Sequence, residues 1–170
     1  MPNWTINYVR IEGEPEGLEQ IKRQLATKHN PFDFNSLVPM PKLLEDIRTG
    51  ACTIDDERVD IWREGNDGQS ERIPDAERDQ LLAAYGADNW HDWTYLHWGT
   101  SWNACRVETK HTATCLSYTF DSAWAAPEPI AGKVRALCAN LGLTLEWTAE
   151  DEDDRGWYPV VPSLGGEAAA

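Results

Sequence analysis

Two apolar stripes of helical spacing, set about one hundred residues apart, constrain this chain more than any other feature. Leu18, Ile21 and Leu25 follow Pro15 at intervals of three and four, and His29-Asn30-Pro31 stops the run. Ile130, Val134, Leu137 and Leu141 repeat the pattern behind Pro127 and Pro129, with Gly142 where a left-handed cap ends a helix. Each stripe needs an apolar surface to cover, and the neighbouring segments alternate as strands do. Trp4, Ile6 and Tyr8 oppose Thr5, Asn7 and Val9 along residues 4–12. Residues 103–109 and 114–120 flank Lys110-His111-Thr112-Ala113 as a hairpin whose Leu116, Tyr118 and Phe120 share a face, and Leu143, Leu145 and Trp147 form a last strand. The order strand, helix, strand, strand, helix, strand predicts an α+β fold of the ferredoxin-like, split βαβ type: an antiparallel sheet with two helices on one face.

At 170 residues the expectation is one such domain over 1–162, an insertion at about 36–99 in the first crossover, and a flexible tail at 163–170. An insertion of that length needs elements of its own. Pro74-Asp75 opens a helix with Leu81, Leu82 and Tyr85 that ends at Gly86, and Asp88 can cap a helix bearing Trp90, Trp93 and Leu96. The insertion is therefore expected to be mainly helical, with a loop over 65–70.

Charge narrows the function classes. The net charge is -14, and residues 49–101 hold four basic against twelve acidic side chains. Such a chain repels a phosphate backbone and an anionic membrane surface, so direct nucleic-acid and membrane partners are not expected. Met1 to Tyr8 show neither a basic nor an apolar leader segment, which gives a cytoplasmic expectation. Cys52, Cys105, Cys115 and Cys138 form no Cys-x-x-Cys pair and read as reduced thiols, with Cys105 and Cys115 candidate cross-strand neighbours in the hairpin.

Five blocks in one order then carry a resemblance. They are Met1-Pro2-Asn3-Trp4; Phe32-Asp33-Phe34-Asn35 with Pro39-Met40-Pro41; Tyr85 to Trp93; Trp98-Gly99-Thr100-Ser101-Trp102-Asn103-Ala104; and Phe120-Asp121-Ser122-Ala123-Trp124. Together they resemble the YubB ferredoxin-like family carried by bacteriophages and plasmids. The resemblance implies a ferredoxin-like fold and a mobile-element accessory protein in a bacterial host cell. It brings no catalytic residue with it.

Two sets of residues are candidates for function. Asp55, Asp56, Glu57, Asp60 and Glu64, with Glu150, Asp151, Glu152, Asp153 and Asp154, are acidic runs that resemblance does not account for. Sharing a side, they would steer binding to a basic surface of a host protein or ribonucleoprotein complex. The expectation that follows is an inhibitor of host defence, of anti-CRISPR or anti-restriction type, acting as a nucleic-acid mimic; solubility is the plainer account of each run. The alternative is a small enzyme or ligand-binding protein using Asp88, Trp90, His91, Asp92, Trp93, Trp98 and Trp102, where a carboxylate could orient His91 for proton transfer. Asp88 as a helix cap and the tryptophans as packing explain the same residues without chemistry. No Gly-x-Ser-x-Gly motif or phosphate loop is present, and neither metal nor cofactor is expected.

Overall fold

The computed structural model describes residues 3–65, 67–153 and 156–160. It shows an α+β protein with two antiparallel sheets, and the chain divides into two compact units. One unit takes the described residues up to Pro39 and from Trp98 onward; the other is Met40–His97. The tail expected at 163–170 lies outside the described residues. None of the described helices is long and apolar enough to cross a membrane.

In the first unit the strands are β1 (Trp4–Glu12), β5 (Cys105–His111), β6 (Cys115–Ala123), β7 (Thr144–Asp151) and the short β8 (Tyr158–Pro159), in the spatial order β5-β6-β1-β7-β8. Its helices are α1 (Pro15–Leu25), the single turn α2 (Phe34–Leu37) and α5 (Glu128–Asn140). Alternation along β1 is strict: Thr5, Asn7, Val9 and Ile11 are buried, while Ile6, Tyr8, Arg10 and Glu12 are exposed. Leu116, Tyr118 and Phe120 of β6 and Trp147 and Ala149 of β7 continue the buried face. On that face lie Leu18, Ile21 and Leu25 of α1, all fully buried, with Ile130, Ala131, Val134 and Cys138 of α5. Phe32 stacks on Phe120 at 4.9 Å between ring centroids, and Phe34 meets Trp98 edge-on at 5.7 Å, which closes the end of this core.

The buried face of β1 is partly polar, and its groups are satisfied. Asn7 accepts from Trp147 Nε1 at 3.1 Å and donates to Ser122 Oγ at 2.8 Å, so burial leaves its amide hydrogen-bonded. The second helix differs from its expected stripe: Leu137 and Leu141 are only half-buried, and Ala131 and Cys138 take the core positions. The buried face of α5 is therefore centred on Ile130, Ala131, Val134 and Cys138. Gly142 does end it, at φ +67°, with Leu143 N–H bonded to Cys138 O at 2.8 Å across the left-handed cap. Cys105 and Cys115 are not neighbours: Cys105 pairs with Asp121 and Cys115 with Glu12, since each stands at the start of its own antiparallel strand.

The second unit corrects the expectation of a mainly helical insertion. It contains a three-stranded sheet, β2 (Ile47–Ile54), β3 (Glu57–Glu64) and β4 (Ser70–Arg72), as well as α3 (Asp75–Tyr85) and α4 (Trp90–Trp98), the last of whose residues falls in the first unit. β-branched residues at Thr49, Thr53, Ile54, Val59 and Ile61 favour the ladder, which the intervening charges obscure in the sequence. Gly65 N–H bonds Gln69 O at 2.8 Å, so the turn expected here joins β3 to β4, with Asn66 outside the described residues. Along α3 and α4, Leu81 and Trp93 are buried as expected, but Leu82 and Leu96 are exposed. Gly86 closes α3 at φ +74° with its N–H on Leu82 O.

Candidate functional site

The expected acidic cluster at 55–60 is the tip of a hairpin. Ile54 pairs with Glu57, leaving Asp55 and Asp56 as a two-residue loop at φ +51° and +64°. Two successive left-handed residues make a type I′ turn, whose twist matches that of the strands it joins. Aspartate tolerates this conformation better than most non-glycine residues, so the turn itself supplies a structural reason for both side chains. Asp55, Asp56, Glu57 and Asp60 are all exposed. Glu57 pairs with Arg72 at 2.7 Å, Asp60 with Arg58 at 3.3 Å and Glu64 with Arg48 at 2.8 Å. These are surface pairs of small energetic weight, and Asp55 and Asp56 remain unpaired at the apex among the described residues.

The second acidic run is divided by its hydrogen bonds. Asp151 Oδ1 accepts from Thr5 Oγ1 at 2.6 Å and from the Tyr158 hydroxyl at 3.0 Å, so it holds β1 and β8 to β7. Beside this carboxylate, burial first and the hydrogen bond second push the Tyr158 hydroxyl pKa upward. Glu152 accepts from Trp4 N at 3.1 Å, and Asp153 accepts from the Asn3 amide. Glu150 lies opposite Ile6 in the ladder, and Asp154 lies outside the described residues.

The residues of the enzyme alternative are used in packing and capping. Asp88 is 4% exposed and pairs with Arg78 at 2.7 Å. The helix cap is Asn89, not Asp88: its Oδ1 accepts from Asp92 N at 2.9 Å, while its amide donates to both Asp88 and Asp92. Asn89 wins because its side chain reaches the third helical N–H while still bridging the two carboxylates. His91 touches Asp92 at 3.3 Å, and its ring lies 5.0 Å from that of Tyr95 at a tilt of 60°. Trp93 is buried against His97, whose Nε2 lies 3.3 Å from Tyr85 O. Trp90 is half-buried in the same unit. In the other unit Trp98 is buried and donates to Val38 O at 2.9 Å, whereas Trp102 is 41% exposed. Among the described residues no three His, Cys, Asp or Glu side chains gather as a metal site would require.

One cluster has no counterpart in any local sequence pattern. Arg106 sits in a β-bulge of β5 at φ +51°, which aims its guanidinium over the Trp4 ring at 4.5 Å and onto Asp121. Trp102 flanks Trp4 at 5.7 Å. Trp4, Ile6, Arg106, Asp121 and Glu152 line a hollow of about 270 Å³ on the helix-free side of the sheet. Its parts come from sequence positions about one hundred apart, so no local motif announces it.

Comparison with family models, curated proteins and solved structures finds no match.

Proposed function

We propose that this chain is a non-enzymatic binding protein that presents carboxylates to a basic surface of a host protein or ribonucleoprotein complex, as an accessory protein of a phage or plasmid. Its concrete form is inhibition of a defence complex, of anti-CRISPR or anti-restriction type, by occupying a surface that otherwise holds nucleic acid. The observation that carries the reading is the contrast between two sets of carboxylates: Asp88 is sequestered with Arg78, whereas Asp55, Asp56, Glu57 and Asp60 stand exposed at and beside a hairpin tip. Exposed negative charge gathered at one turn can steer and orient a cationic partner. For the larger unit we propose a ferredoxin-like core. Strand order β5-β6-β1-β7 with antiparallel neighbours supports it, as do α1 and α5 joining the strands in split βαβ order.

Affinity capture from a bacterial host lysate, followed by competition with nucleic acid, tests the function. The expected result is a captured complex released by DNA or RNA that binds the same channel. A captured partner that holds nucleic acid and this protein simultaneously contradicts mimicry, and turnover of a nucleotide or small ligand abolished by His91→Ala would move the assignment to an enzyme.

A further inference from the structure

We propose that the helix-free face of the five-stranded sheet docks an arginine- or lysine-bearing segment of a partner protein. This rests on the reading of the chain as a binder of basic surfaces, and adds both a surface distinct from the hairpin tip and the occupant's chemistry. Ile6 and Tyr8 are 38% and 41% exposed at the centre of this face, on the strand flanked by β6 and β7. Residues opposite one another in a ladder share a face, so the pairings place Asp121 and Glu150 beside Ile6, Thr119 and Thr148 beside Tyr8, and Ser117 and Glu146 beside Arg10. Glu108 joins the face opposite Thr119, and Lys110 opposite Ser117.

Charge complementarity selects the occupant. Arg10 is paired with Glu12, and Arg106 with Asp121. Glu108, Glu146 and Glu150 engage no cation among the described residues and leave Lys110 as the single unpaired base of the face. An apolar centre with a carboxylate rim repels phosphate and favours a segment carrying both aliphatic and cationic side chains. Residues 161–170 of the chain carry no Lys or Arg and one Glu, so the rim does not match them. Glu146 and Glu150 stand four residues apart on one strand, about 13 Å by the strand rise, the spacing of cations four apart on an extended peptide with an apolar residue between them. Trp4 and Trp102, beside Arg106, wall one end of the surface.

The probe is a synthetic peptide repeating Arg-Ser-Leu-Ser, with a control that has Glu in place of each Arg, titrated into full-length ¹⁵N-labelled protein. Shifts are expected at amides of residues 4–12, 117–121 and 144–150, with no response to the control. Glu146→Gln with Glu150→Gln should weaken binding about tenfold while leaving the thermal transition in place. Tyr8→Ser should weaken it as well. No shifts at millimolar peptide, equal response to both peptides, or shifts confined to residues 47–64 would overturn the proposal. So would single-stranded oligonucleotide binding on these strands, or sedimentation showing that the face joins two copies of the chain. Because the probe is not the captured complex, failure here with capture intact removes this surface and leaves the proposed function standing.

Discussion

Asn103 Nδ2 donates to Asp33 Oδ1 at 2.7 Å, joining the loop after α1 to the segment that enters β5. The same Asp33 carboxylate accepts from Thr27 Oγ1 at 2.6 Å and Asn35 N at 2.9 Å, while Asn103 Oδ1 accepts from Phe34 N and Ala104 N. Asp33 is 9% exposed, so removing it strands several donors away from water. Asp33→Ala is expected to destabilise the protein by about 2–3 kcal/mol in urea unfolding, and the double variant with Asn103→Ala to lose less than the sum. Strict additivity would show that the two side chains act separately.

Helix burial makes a second test. Leu25→Ala removes a fully buried side chain and is expected to cost about 2–5 kcal/mol. Leu137 lines only a surface hollow with Leu37 and Lys133, so Leu137→Ala should cost under about 1 kcal/mol. Equal losses would place Leu137 in the core after all.

At the hairpin apex, Asp56 holds φ +64°, a conformation glycine adopts without the strain of a Cβ. Asp56→Gly should therefore leave stability unchanged or raise it by up to about 1 kcal/mol, whereas Asp56→Val should lower it. A loss with glycine would mean that the carboxylate itself holds the turn.

Burial pushes the Cys138 thiol up to about 11, from an ordinary value near 9, with Arg135 opposing weakly. Because the folded state keeps its proton where the unfolded state has lost it, stability from this group is complete below pH 9 and is lost as pH rises through about 11. Cys138→Ala should flatten stability over that window, read as the thermal midpoint against pH. An unchanged slope would assign the alkaline loss to other groups.

The helices of the larger unit were legible because Leu18, Ile21 and Leu25 obey one period and all reach the core. Position within α5 was not, since Ala131 and Cys138 carry too little apolar weight to outrank Leu137 and Leu141 in a sequence pattern. The β2–β3 hairpin was hidden by its own turn: Asp55-Asp56 read as charge, although its backbone role is that of Asn-Gly. Asp88 and Asn89 are equivalent as cap residues in sequence, and only the reach of Asn89 to Asp92 N decides between them. The acidic runs were visible in composition, yet their division into exposed tips and structural acceptors such as Asp151 depends on long-range pairing. The Trp4–Arg106–Asp121 cluster required both the β1–β6 register and a bulge, neither of which a local pattern encodes.

The most direct test of the central claim is the salt dependence of the dissociation constant for the captured partner, measured with the native chain and with Asp55→Asn, Asp56→Asn, Glu57→Gln and Asp60→Asn combined. Screening beyond about 8–10 Å at moderate ionic strength should weaken the native complex steadily. The neutralised hairpin should bind more weakly at low salt and respond less to added salt, at nearly unchanged thermal stability. Salt-insensitive affinity that is equal for both proteins would contradict recognition through these carboxylates.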